Sequence, residues 1–417
     1  MPRRRFARSY QEETTVPAVQ QMVAPEKSRG QQPPVLGLQN MIGNKALQRM
    51  LIQRELELDE LEVTVDGHEN SETDSENPVM IDEMTVPVGE TEGVVHDGPL
   101  TPAQVTKAIS YYETRKRDYP PHIIEQIQEA LGSTKTGKAD DFMVQSVANY
   151  QFAFGLAVDG MAGPRTLPAI FAQGLDTSEH EEDFSDFAVE QLNQWESLGS
   201  ADARAEQLMD KINELLEASK VPECGFKVKD LPDLLGQFDF TPWIIELGKP
   251  AFERDVITLE EYSDAANTVY HEARHAEQWF SMARMLAGQG KSAAQIATMM
   301  GIPVTIATEA VSVKYAPTSM EALVANGWYQ SVYGVDAQKR ENTFREMEAA
   351  GKEVEAAEKA LEKADTPVNK KRLQRAQERH QRAYDAYHNL PEETDAHRVG
   401  DSVEARIRLK AELENMP

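Results

Sequence analysis

The sequence predicts a mainly α protein with a small β component, an α+β chain with two folded parts. Three observations carry this. Three runs with helical spacing, PLTPAQVTKAISYY, PPHIIEQIQEALG and FMVQSVANYQFAFG, follow one another after residue 98 with Pro or Gly punctuation between them. From Asp336 to about Leu390 the chain is very rich in Ala, Glu, Lys, Arg and Gln, and it is broken once, at DTP, residues 365–367. That pattern reads as an αα-hairpin. The best strand signals lie in GFKVKDLPDLLGQFDFTPWIIELGKPAF, above all in FDFTPWIIEL.

Taken in order, residues 1–36 mix Arg, Gln, Pro and Ser with few large apolar residues and are expected to be disordered. Residues 37–54 are expected to form a short helix, with Leu38, Met41, Ile42, Leu47, Met50 and Leu51 in an apolar stripe. Residues 55–98 are acidic, with no Lys or Arg from Glu55 to Gly93, so self-repulsion predicts an extended linker. Residues 99–175 make a small helical domain. A second acidic stretch, DTSEHEEDFSD, marks residues 176–195 as another linker, and residues 196–417 form the larger domain. Its hairpin, 336–390, has Phe344, Met347, Val354, Leu361, Leu373 and Ala376 as seam residues, with charged faces in solvent.

A net charge of −27 argues against binding nucleic acid or an anionic membrane, both of which need a basic surface. No run approaches the roughly 18 apolar residues of a membrane span. Cys224 is the single cysteine, so internal disulfides are excluded. The start, MPRRRFARSYQEETT, has arginines but no apolar stretch after them, so no Sec signal is expected.

The chemistry centres on VYHEARHAEQWF, residues 269–280. Ala265, Val269, Ala273, Ala276 and Phe280 recur at three- and four-residue steps, which predicts a helix. On a helix, His271 and His275 point the same way and Glu272 sits beside them, the HExxH arrangement of zinc peptidases. The competing reading makes them ordinary residues of a half-apolar helix. A catalytic zinc needs three protein ligands and an open position, so a partner is required.

Three resemblances extend this. EQIQEALGSTKTGKADDFMVQSVANYQFAFGLAVDGMAGPRTLPAI, through Val147, Tyr150, Gln151, Gly155, Leu156, Val158, Asp159, Gly160, Gly163, Pro164 and Thr166, resembles the three-helix peptidoglycan-binding domain of cell-wall hydrolases. It implies glycan contact by Tyr150, Gln151, Asp159, Gly160, Gly163 and Thr166, although DGMAGPRT is also a glycine turn leading into a helix start. LQNMIGNKALQRML, through Ile42, Gly43, Asn44, Ala46, Arg49 and Leu51, resembles the packaging segment of effectors carried by extracellular contractile injection systems, phage-tail-like particles. HEARHAEQ with LPEETDAHRVG, residues 390–400, resembles the HExxH zincin-like metallopeptidase domains of the same effectors.

The last resemblance implies zinc held by His271, His275 and Glu393, the Glu of a PxExxA pattern, with Asp395 as the alternative ligand and Glu272 as catalytic base. His397 stands where some members hold an Asp. For the oxyanion, Arg274, Tyr384, Tyr387, His388 and His397 are candidates; Arg274 should face away from the histidine stripe. Together the resemblances imply a zinc-dependent peptidase or amidase effector, a toxin targeted to peptidoglycan. It would be made in the bacterial cytoplasm, loaded on the tube or baseplate of the particle through its N-terminal segment, and exported to the extracellular space or target cell. The alternatives are a non-catalytic structural or cargo protein with a degenerate zincin core, and a peptidase acting on a host protein.

Overall fold

The computed structural model describes residues 99–231 and 235–414. The expectations for 1–36, 37–54 and 55–98 lie outside the described residues. The small domain is built from α1 (Pro102–Thr114), α2 (Pro121–Ala130), α3 (Asp141–Ala153) and the short α4 (Leu167–Ile170). Local chemistry sets their starts. Thr101 and Gln104 form a capping box ahead of α1, prolines open α1 and α2, and Asp140 accepts from the Met143 amide ahead of α3. Ile124, Ile127, Val144 and Val147 fill the centre.

Residues 176–195 are not a linker. After a 3-10 turn (Gly174–Asp176) they form α5 (Ser178–Gln194), whose Phe184, Ser185, Ala188 and Val189 are buried. Its acidic residues do not repel one another into an extended chain because basic residues meet them: Arg406 pairs with Glu181 and Glu182, and Lys410 with Glu182 and Asp186.

Next come α6 (Ala201–Ala218) and the strands β1 (Gly225–Lys229), β2 (Gly236–Asp239) and β3 (Ile244–Gly248), in the order β1-β3-β2. β1 runs parallel to β3 and β2 antiparallel. FDFTPWIIEL is therefore two strand ends and a turn. Pro242 interrupts the ladder, and Trp243 takes a left-handed φ of 61° while its ring packs edge-on against Phe238.

The helices that follow are α7 (Lys249–Phe252), α8 (Leu259–Gly288), α9 (Ala293–Met300), α10 (Val304–Ser312), α11 (Met320–Val332), α12 (Ala337–Lys363), α13 (Pro367–His388) and α14 (Pro391–Glu414). Thr258 and Glu261 start α8 with a capping box, and α8 is buried around its whole circumference, as a central helix must be. It packs on α14, α11, α10 and α6 and against β2. One apolar core runs from Leu100 in the small domain through α8 to Ala411, so the two folded parts share an interior.

The α12–α13 hairpin turns at DTP, where Thr366 caps α13 and Pro367 occupies its first turn. Phe344, Met347, Ala350, Ala357, Ala376 and Ala383 are its buried seam, while Val354, Leu361 and Leu373 are half-buried. At its base, Tyr387 and Arg340 reach α14.

Candidate metal centre

α8 carries His271 and His275 one turn apart in the buried interior, and the start of α14 brings Glu393 to them. The two Nε2 atoms lie 3.1 Å apart. Glu393 Oε2 is 3.3 Å from His275 Nε2 and 3.8 Å from His271 Nε2. One ligand atom from each falls within 4.8 Å of the others. Two imidazole nitrogens converging beside a carboxylate is a donor set that suits zinc in number and chemistry.

Asp395 does not join them. Two residues further along α14 it faces another way, and it accepts from Arg274 Nε, Gln278 Nε2 and Arg398 Nη2, each at 2.9 Å. The structure therefore removes Asp395 from the candidate ligands.

Glu272 points to the sheet, where Oε2 accepts from the Phe238 amide of β2 at 2.8 Å. Burial pushes its pKa up to about 7, which a nearby Glu393 carboxylate reinforces. Burial also drives His271 well below the ordinary histidine value, helped by His397 and His275. His275 moves oppositely: burial opposes its protonation, but the Glu393 carboxylate outweighs that and raises it to about 9. Glu393 is correspondingly held well below the usual carboxylate range, chiefly by His275 against the pull of burial. The pair of histidines thus shares one positive charge, located on His275.

Around these groups, Tyr387 donates its hydroxyl to Glu393 Oε2. Of the other oxyanion candidates, Arg274 is consumed in ion pairs with Asp395 and Glu277. Tyr384 and His388 sit further out, with His388 stacked on His397 at 4.3 Å. His397 lies edge-on to His271 at 4.5 Å, and its buried Nε2 has no hydrogen-bond partner among the described residues. Sequence reasoning missed Gln278, whose Oε1 lies 2.9 Å from His275 Nδ1; its signal was the three-residue spacing from that histidine.

The six residues expected to touch glycan are mostly turned inward. Gln151 accepts from the amides of Asp159 and Gly160 and donates to Asp159 Oδ1, Met161 O and Thr166 Oγ1. Asp159 accepts from the Met161 amide, and the Tyr150 hydroxyl donates to Ala169 O. Gly160 has φ 70°, with Leu100 and Val144 too close for a Cβ, and half-buried Gly163 lies beside Tyr111. These residues build the loop, because buried polar groups must find partners. The aromatic rings that do face solvent here are Phe142, Phe152 and Phe154, with Phe152 70% exposed.

A family model for a peptidoglycan binding domain matches residues 125–170, from α2 to α4. The chain thus carries a peptidoglycan-binding domain, which supports peptidoglycan as a partner. No curated protein and no solved structure matches the chain. Among the described residues no helix is long and apolar enough to cross a membrane.

Proposed function

We propose that this chain is a zinc-dependent peptidase or amidase that cleaves peptidoglycan or protein at the cell wall, an effector carried by a contractile injection particle. The observation that carries the catalytic part is the buried convergence of His271, His275 and Glu393 with Glu272 alongside. The presence of all four groups together supports a working centre over a degenerate core. Zinc in this position supplies a Lewis acid that acidifies water toward a pKa of about 7 and polarises a carbonyl. The protein's own groups do the rest. Glu272, with its pKa raised to about 7, takes the proton of the attacking water and delivers it to the leaving amine as the C–N bond breaks. Tyr387 fixes the Glu393 carboxylate, and His397, edge-on to His271 with its Nε2 unpartnered among the described residues, is the candidate to meet the developing oxyanion. The small domain keeps the chain on its polymer, and residues 37–54 serve loading into the particle.

Glu272→Gln tests this. The amide keeps size and leaves the ligands alone but accepts no proton at neutral pH, so zinc content and folding should persist while hydrolysis of sacculi falls at least about 100-fold. Undiminished hydrolysis by the variant would end the peptidase reading.

A further inference from the structure

His275 is connected to a charged interior through its second ring nitrogen. Nδ1 lies 2.9 Å from Gln278 Oε1, and an amide oxygen only accepts, so Nδ1 is the donor and Nε2 stays turned toward Glu393. The far end of Gln278 is fixed as well. Its Nε2 donates to Asp395 Oδ2 and to the Glu392 carbonyl, both at 2.9 Å, and a flipped amide would set oxygen against these two acceptors.

Asp395 is clamped by Arg274 and Arg398, each at 2.9 Å, and both guanidinium groups lean on Asp176: Arg398 with two bonds of 2.5 Å, Arg274 at 3.7 Å. Asp176 ends the turn that leads out of the peptidoglycan-binding domain. That turn is bolted to α8. Arg274 Nη1 donates to Gln173 O at 2.9 Å, the Tyr270 hydroxyl to Leu175 O at 2.6 Å, and the Leu175 amide to Glu277 Oε2 at 3.1 Å. Gly174, at φ 58°, has Glu277 Oε1 only 1.6 Å from where a Cβ would lie, so the fit admits glycine alone.

We propose that Gln278 and Asp395 are positioning residues for the metal ligand His275, held in register by the Gly174–Asp176 turn at the exit of the peptidoglycan-binding domain. The proposal rests on the zinc reading and deepens it. A carboxylate acting through a hydrogen-bonded relay fixes the ring's rotation and tautomer and raises its basicity as a ligand. The position of one domain's exit is thereby written into the metal site of the other.

The test uses the full chain with zinc and with cobalt(II), whose visible spectrum reports ligand geometry. Gln278→Met removes the relay without changing charge and leaves Asp395 with both arginines. It should bind either metal about 10- to 100-fold more weakly and shift the cobalt spectrum, with circular dichroism unchanged. Gln278→Leu, which removes the same bonds with a differently shaped apolar side chain, should weaken binding to a similar degree. The leucine variant decides the matter if Gln278→Met does not fold. Wild-type affinity and spectrum in a folded Gln278→Met or Gln278→Leu protein overturns the relay and leaves the enzyme reading standing. A wild-type chain that binds neither metal overturns both.

Discussion

At the scale of residues, His275 makes a measurable demand on metal binding. With its pKa raised to about 9 by Glu393, it is protonated at neutral pH, whereas a ligand imidazole must be neutral. Zinc binding at pH 7 should therefore release about one proton, and affinity should climb roughly tenfold per pH unit until about pH 9. Calorimetry in buffers of different ionisation enthalpy counts that proton; a count of zero at pH 7 contradicts the shared charge. His271, Glu272 and His275 were legible because a helix places i and i+4 together. Glu393 was not legible from spacing, since a contact between helices distant in sequence leaves no local pattern, and only the resemblance supplied it. Gln151 and Gly160 misled for a different reason: a loop's structural bonds and a binding site call on the same residue types.

At the scale of elements, α5 shows how charge can hide a helix. DTSEHEEDFSD was read by its acidity, but Phe184 and Ala188 recur at a helical step and are fully buried, and the cations that offset the acids belong to α14, far away in sequence. One of those acids carries a pH signature. Burial, reinforced by Asp176, raises Glu181 to about 7, above its unfolded value near 4.5. The folded state thus holds this proton more tightly, so the group's stabilising contribution is complete below about pH 4.5 and is lost as pH rises through 7. Glu181→Gln should remove that slope. Relative to wild type, its unfolding free energy in urea should gain up to about 3 kcal/mol between pH 5 and pH 8. A constant difference across that range would refute the shift. The hairpin was legible for the opposite reason, because α12 and α13 are local, continuous and punctuated by Thr366 and Pro367.

At the scale of the whole molecule, the proposed metal ligands join α8 to α14 across a shared core, so metal should stabilise the entire described fold. Zinc at 100 times its dissociation constant should add about 2.7 kcal/mol, and a chelator should remove it. Scanning calorimetry with and without chelator reads this directly; an unchanged midpoint would mean that no ion links the helices. The joining of distant segments also has a meaning in time. His271 and His275 are made early and Glu393 much later, after five intervening helices. Contacts of such long separation form slowly, and chains of this size fold through intermediates. On refolding, capture of zinc followed with a fluorescent indicator should keep pace with the slowest phase of tryptophan fluorescence, and capture within the mixing time would show a site that forms early. A ribosome carrying this chain consequently bears an incomplete set of the three converging groups until the first turn of α14 emerges, and on the proposed reading the cell that makes it is shielded for that interval by the order of synthesis alone.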